Sequence, residues 1–315
     1  MKIYNIFLRI RRFFNGFTRY KYPNDCLWAQ TDTPVLGNKN SSFFDPYFTL
    51  LGTRRVVFVS SRKDNSIMRV FLDEKMEIVN AENVLSGFDS SLVNRPCVIR
   101  INDVTHMWFT LQKNATSCIC HVFLDDNLNA SLEDATIVIS PTFAFEKASV
   151  MNPCVIFEEG IFKMWYACGE QYEPDYLAYA ESVDGINWKK RNAPVLNKSK
   201  SGFDSFKVGG CDVKKYDSHY IMFYIGYKNV DLARICMAVS IDGINWKKSS
   251  RPLFSPVNKT WFSDSCYKPS FFYDVKNDTS YLLFNGRTDG TESVGFVSYK
   301  GDFLKISIEN FGKNN

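Results

Sequence analysis

Apolar residues in this chain come in short runs broken by polar turn residues, and the breaks recur. Ser182-Val183-Asp184-Gly185-Ile186-Asn187-Trp188-Lys189-Lys190 returns almost unchanged, 58 residues later, as Ser240-Ile241-Asp242-Gly243-Ile244-Asn245-Trp246-Lys247-Lys248. Asp-Gly is a turn dipeptide, because Gly tolerates positive φ and Asp bonds its own backbone, so each copy predicts a strand, a tight turn and a strand carrying Trp. A second marker is an apolar run opened by a polar residue and Pro: Asp45-Pro46, Arg95-Pro96, Asn152-Pro153 and Lys268-Pro269, with Gly210-Cys211 as a degenerate copy. The Pro positions are spaced by 50, 57, 58 and 58 residues. Twelve residues beyond the first four comes an aromatic in a second apolar run: Phe58, Trp108, Trp165 and Phe223. In the fifth copy Phe284 comes at fifteen, the longer connection from Tyr273 to Ser280 supplying the extra three.

About four strands in a repeat of this length is the signature of a propeller blade, and a solenoid usually repeats sooner. The expected fold class is all-β: a five-bladed β-propeller with a short N-terminal amphipathic helix. A single blade cannot bury both of its faces, so the five repeats are expected to form one domain over residues 23–315, although length alone suggests two. Pro at the first residue of a strand costs no ladder hydrogen bond, which suits the entry of an innermost strand at the axis. Residues 1–22 follow another period. Ile3, Ile6, Phe7, Ile10, Phe13, Phe14 and Phe17 recur at three- and four-residue intervals, the spacing of one helical face.

Charge sharpens that division. The formal net charge is +4, but Lys2, Arg9, Arg11, Arg12, Arg19 and Lys21 put +6 into the first 22 residues, leaving 4 − 6 = −2 on the rest. A cationic amphipathic segment fits a peripheral contact with an anionic membrane surface or a helix packed on its own domain. The body is not basic, which argues against a nucleic-acid partner. Aromatics at 16% and hydrophobic residues at 45% exclude a disordered chain, and no run approaches a membrane span. Nine scattered cysteines, without a Cys-x-x-Cys pair, fit neither a zinc site nor a disulfide framework. The expected location is cytoplasmic, at the inner face of the membrane if residues 1–22 bind it. No metal or other cofactor is expected; His106, His121 and His219 are isolated in sequence.

The Tyr179-Ala180-Glu181-Ser182-Val183-Asp184-Gly185-Ile186-Asn187-Trp188 run, the Pro194 and Pro252 that follow the two Trp turns, and the Asp-Pro opening of the first inner strand resemble a known group. It is the five-bladed propeller superfamily of invertases, levansucrases, arabinanases and mannoside phosphorylases. Within it, the pattern is most similar to bacterial proteins linked to surface-polysaccharide loci. The resemblance covers about residues 27–302. It implies an active site in the axial funnel, a first-blade Asp acting as nucleophile or base, and further acids from later blades. Asp45 matches that Asp.

The residues before each Pro position, Asp45, Arg95, Asn152, Gly210 and Lys268, form a ring with one carboxylate, two cations and an amide. Glycoside hydrolysis needs two carboxylates across the anomeric centre. Asp212, two positions further along its strand, and Glu170, after the aromatic strand of the third repeat, are the candidates for the missing acid. Arg95 and Lys268, widened by Arg62 and Arg287 at strand ends, form a candidate anion site, with Asn152 beside them. A structural network in which Arg95 and Lys268 pair with Asp45 and Asp212 is the alternative. Asp184 and Asp242 read as turn residues, Cys97 and Cys154 as small buried apolar residues, and Phe88-Asp89, Phe145-Glu146 and Phe203-Asp204 as structural corners.

Three functions fit this ring. The first is glycosyl transfer in surface-polysaccharide synthesis, from a nucleotide-sugar donor to a carbohydrate acceptor, favoured by the basic ring and the cationic segment. The second is a glycoside hydrolase or phosphorylase; for the phosphorylase, one carboxylate beside a phosphate site suffices. The third is a non-catalytic propeller that binds glycans or scaffolds a complex.

Overall fold

The computed structural model describes residues 28–37, 43–88, 90–170, 174–256 and 260–313; the expected helix over residues 1–22 lies outside them. The described residues are mostly β and propeller-like. A first short strand, β1 (Ala29–Gln30), precedes β2 (Phe43–Leu51), β3 (Arg54–Ser61), β4 (Ser66–Leu72) and β5 (Ile78–Ser86). Then come β6 (Leu92–Ile101), β7 (Val104–Lys113), β8 (Thr116–Leu124) and β9 (Thr136–Ile139), followed by β10 (Ser149–Glu158), β11 (Ile161–Gly169), β12 (Pro174–Ser182) and β13 (Lys189–Lys190). The next strands are β14 (Lys207–Tyr216), β15 (His219–Asn229), β16 (Leu232–Ser240) and β17 (Lys247–Lys248), and the last are β18 (Ser265–Asp274), β19 (Thr279–Thr288) and β20 (Thr291–Lys300). Neighbours within each run pair antiparallel, and β1 adds itself to the outside of β20 through Ala29↔Ser298. Hydrogen bonding makes these runs four sheets, because Ser149 of β10 pairs parallel with Ser117 of β8 and joins two of them. No sheet closes on itself among the described residues.

The repeated turns explain themselves locally. Asp184 Oδ1 accepts from the Ile186 and Asn187 N–H groups at 2.9 and 2.8 Å, and Asp242 does the same for Ile244 and Asn245. Each turn also receives the aromatic of the preceding run: Trp108 Nε1 donates to the Gly185 carbonyl and Trp165 Nε1 to that of Gly243. A Cβ on Gly185 or Gly243 would stand 2.9 Å from that indole, at φ of +76° and +73°. The second Lys of each copy reaches a buried corner acid: Lys190 Nζ to Glu146 and Lys248 Nζ to Asp204, at 2.7 and 2.6 Å. Tyr166 and Tyr224 donate to the same acids. Glu146 and Asp204 are structural corners, as expected; Asp89 lies outside the described residues.

The innermost strands depart from the expected form. Pro46, Pro96, Pro153 and Pro269 sit inside β2, β6, β10 and β18, several residues after each strand begins. They are tolerated because each lies at a bulge, where one extra residue escapes the ladder; β14 has the same shift at Gly210. At each Pro-bearing bulge the preceding residue has positive φ: Asp45 52°, Arg95 57°, Asn152 54° and Lys268 35°.

Side chains two positions after Arg95, Asn152, Gly210 and Lys268 tie four of the five inner strands each to the next. Cys97 Sγ accepts from Val155 N, Cys154 Sγ from Val213 N, Asp212 Oδ2 from Phe271 N, and Ser270 Oγ from Phe48 N. Cys97 and Cys154 are buried as expected, yet they act as acceptors as well as filler. The Ser270 bond carries the chain of contacts from β18 back to β2. A C-terminal helix α1 (Phe303–Lys313) was not foreseen; it buries Phe303 and Leu304, with the Phe303 ring 4.6 Å from that of Trp28. No helix among the described residues is long and apolar enough to cross a membrane. His106 and His121 are not isolated: Nδ1 of one lies 3.1 Å from Nε2 of the other, and burial holds both below the usual imidazole range.

Replacing Ser270 with Ala should strand the buried Phe48 N–H and lower stability by about 1–3 kcal/mol. Urea unfolding should show a lower midpoint at unchanged slope; an unchanged midpoint would mean the bond is replaceable.

Candidate functional site

The bulges decide what reaches the axis. An extra residue reverses the alternation of the strand, so a side chain that would join one face of the sheet is turned toward the centre. Asp45, Arg95 and Asn152 thereby line one cavity of about 460 Å³, together with Arg62, Arg287 and Glu292. Ile225, Tyr227 and Tyr267 supply an apolar side to it. Left-handed backbone at a non-glycine residue costs on the order of 1–3 kcal/mol, and here it recurs around one site. The surrounding hydrogen bonds hold it: Arg95 N donates to Ser60 Oγ at 2.9 Å, Asn152 N to Thr110 Oγ1 at 3.0 Å and Asp45 N to Asn285 Oδ1 at 3.4 Å. Gly210 breaks the pattern for a reason of space. A Cβ there would stand 2.7 Å from Asn152 Cγ, so the fourth ring position is occupied by the Asn152 side chain of the third.

Asp45 is buried, with Oδ2 3.2 Å from Arg95 Nε. Burial pushes its carboxyl above the usual carboxylate range; the Arg95 and Lys268 charges oppose the rise and Glu292 adds to it. Arg95 Nη1 donates to Asn94 Oδ1, while its Nε makes no hydrogen bond among the described residues. Arg62 pairs with Glu292 at 2.8 Å and lies over the Phe44 ring. Arg287 lies over the Tyr267 ring and donates to the Asp231 carbonyl; its Nε is likewise buried and unbonded among the described residues.

Three expected site residues do not line this cavity. Asp212 is almost fully buried, its Oδ2 bonded to Phe271 N at 2.6 Å and its Oδ1 3.1 Å from Lys214 Nζ, so it holds strands together and faces no open space. Glu170 is mostly exposed and pairs with Lys147 at 3.2 Å. Lys268 is completely buried and donates to the Cys211 carbonyl at 2.6 Å, which makes it a charge beneath the cavity and not a lining residue. The expected structural network is half present: Arg95 does pair with Asp45, but Asp212 takes Lys214 instead of Lys268. Sequence reasoning missed Glu292 and Gln112. Glu292 lies on β20, outside both repeated markers. Gln112 had a signal, since it follows Trp108 and Thr110 at period two along β7.

The sign of the Asp45 shift has a consequence for stability. A carboxyl whose folded pKa is raised favours the folded state at low pH, and that contribution is lost as pH rises through the folded value. The stability of wild type relative to Asp45→Asn should therefore decline as pH rises from about 4, where the unperturbed carboxylate titrates. Paired urea titrations from that pH upward check it; a pH-independent difference would mean Asp45 is not shifted.

Residues 131–286 match a family model described as beta-1,4-mannooligosaccharide phosphorylase. Among curated proteins, a beta-1,2-mannobiose phosphorylase of Thermoanaerobacter sp. (strain X514) is 33% identical over 158 residues, 45% of this chain and 49% of the relative. A 1,2-beta-oligomannan phosphorylase of the same organism is 30% identical over 124 residues, 36% of this chain and 40% of that one. The matches thus span half or less of these relatives' length. Among solved structures, an alpha-L-arabinofuranosidase from Lactobacillus brevis superposes with a TM-score of 0.68 at 12% identity, covering 84% of this chain and 92% of that one, a likeness of fold. The family model and both of these relatives are phosphorylases, so the expectation of glycosyl transfer from a nucleotide sugar gives way to its alternative. In sequence over part of its length, residues 131–286 for the family model, and in fold, this chain is similar to the mannoside phosphorylases and glycoside hydrolases of the propeller superfamily that its repeat resembles.

Proposed function

We propose that the five strand runs act as five blades around this cavity, and that the cavity cleaves a β-mannoside by phosphorolysis. The bond from Ser270 to Phe48 and the addition of β1 to β20 support the closure. One observation carries the reaction: among the described residues, the carboxylates lining the cavity are Asp45 and Glu292, and Glu292 is paired with Arg62. Hydrolysis needs a second carboxylate, free to activate water or attack the sugar. Phosphorolysis does not, because phosphate is itself the nucleophile and needs cations to hold it. Arg95 and Arg287 supply those cations, and each keeps a buried N–H free of hydrogen bonds among the described residues.

In this reading Asp45, whose proton affinity burial raises, gives its proton to the glycosidic oxygen as the bond to the anomeric carbon breaks. A phosphate oxygen forms the new bond from the opposite face. The products are a sugar 1-phosphate of inverted configuration and the free alcohol. A cavity of about 460 Å³ has room for one or two sugar rings and the anion. The substrate class follows the mannose-acting relatives.

A second reading is a non-catalytic glycan-binding propeller, favoured by the ion pair that Asp45 already makes with Arg95. Incubation with β-mannobioses separates the two. Phosphorolysis requires mannose 1-phosphate to form only when phosphate is present, and Asp45→Asn to lower kcat by about 10²-fold or more, the usual effect of a general acid. Removing Lys268 as a charge, in Lys268→Met, should let the Asp45 carboxyl rise further, so that the alkaline limb of the kcat/KM profile moves to higher pH. Binding without turnover would favour the second reading, and release of free mannose independent of phosphate would sink the first.

A further inference from the structure

The arginines and Asp45 account for an anion and a proton, and they leave the cavity's amides unexplained. Gln112 and Asn152 are each only 5% exposed. Gln112 Oε1 accepts from Asn94 Nδ2 at 2.9 Å, which fixes the amide with its nitrogen turned the other way. That Nε2, buried, has no hydrogen-bond partner among the described residues, and neither has Asn152 Oδ1. Both residues line the same cavity as Asp45.

The two amides are neighbours by construction. Asn152 N is held by Thr110 Oγ1, and Gln112 lies two residues beyond Thr110 on β7, so its side chain leaves the strand on the same face. The Asn152 side chain is accommodated where Gly210 has none. One buried donor and one buried acceptor, each costing on the order of 1–3 kcal/mol while unbonded, sit beside one acid. Hydroxyls are the groups that satisfy both, since each both donates and accepts.

We infer that Gln112 Nε2 and Asn152 Oδ1 form a neutral subsite that reads two hydroxyls of the sugar, Gln112 donating to one and Asn152 accepting from the other. This rests on the reading of the cavity as a glycan site and adds to it the residues that select among sugars. The pair discriminates by what it leaves unpaired: a sugar lacking either hydroxyl leaves a buried amide atom unbonded, so rejection is stronger than loss of one contact in water. The subsite is uncharged, and so is independent of the arginines that hold the anion.

The test has a ligand arm and a protein arm. Methyl β-D-mannopyranoside and its 2-, 3-, 4- and 6-deoxy analogues are titrated into the wild-type protein by calorimetry in the presence of inorganic phosphate. Two of the analogues are expected to bind about 10-fold or more weakly than the parent sugar. Gln112→Met removes the donor and Asn152→Leu the acceptor, each at similar volume and without adding charge beside the arginines. Each variant should bind the parent about 10-fold more weakly, yet lose nothing further with the one deoxy analogue that lacks its partner hydroxyl. Phosphate affinity should stay within about twofold of wild type, which reports that the cavity is intact. If all deoxy analogues bind wild type like the parent sugar, the subsite is overturned while the glycan reading stands. If the variants bind the parent sugar normally, it is overturned in the same way. If wild type binds phosphate but none of the sugars, the glycan reading fails and the subsite with it.

Discussion

Everything at the axis depends on where the N–H groups of the innermost strands go. A sheet strand with a residue too many cannot satisfy its ladder, and a buried unbonded N–H costs on the order of 1–3 kcal/mol. Here the surplus is absorbed between neighbours. Ser60, Thr110 and Asn285 take the N–H groups of the residues in left-handed conformation, while Cys97, Cys154, Asp212 and Ser270 take those three positions further on. The same bonds that offset the bulges also tie each run of strands to the next. The cavity and the packing of the runs are one device: the strain that turns Asp45, Arg95 and Asn152 inward is held by the contacts that keep the runs together.

Electrostatics at the axis follow from that packing. Asp45 sits between a guanidinium at 3.2 Å and a buried ammonium below, yet burial outweighs both and its carboxyl rises. Lys268 and Asp212 lie deeper, each bonded to backbone from a neighbouring inner strand. Charged groups removed from water retain strong fields over several ångströms, so residues that touch no ligand still set the proton affinity of one that does. Arg62 and Glu292 neutralise each other at the cavity wall between the first and last runs. This leaves Asp45, Arg95 and Arg287 as the other charged groups lining the cavity.

The legible parts of the sequence were those whose structure is local or recurs with the repeat. Asp184 and Asp242 bond their own turns, Trp108 and Trp165 fit the turn of the following repeat, and Glu146 and Asp204 meet the Lys of the same motif. Each recurs at fixed spacing, so repetition gives them away. The ring of Asp45, Arg95, Asn152 and Lys268 was legible for the same reason. What each ring member faces was not. Lys268 has the same bulge as Asp45 and ends completely buried, because its ammonium finds the Cys211 carbonyl. Glu170 and Asp212 were chosen by distance along the chain, and neither lines the cavity.

By itself the sequence determined the repeat, the turns and the identity of the inner residues, because these depend on spacing and on the conformational preferences of Gly, Pro and Asp. Only the tertiary structure decided which polar groups share a cavity. It put Glu292 and Gln112 beside Asp45, withdrew Asp212 into the strand ties, and gave the Asn152 side chain the space that Gly210 leaves. The physical reason is that a side chain's partner at the axis comes from another repeat, more than 30 residues away along the chain in every bond that ties an inner strand to a neighbouring run. No local pattern encodes which of several equivalent neighbours will face it.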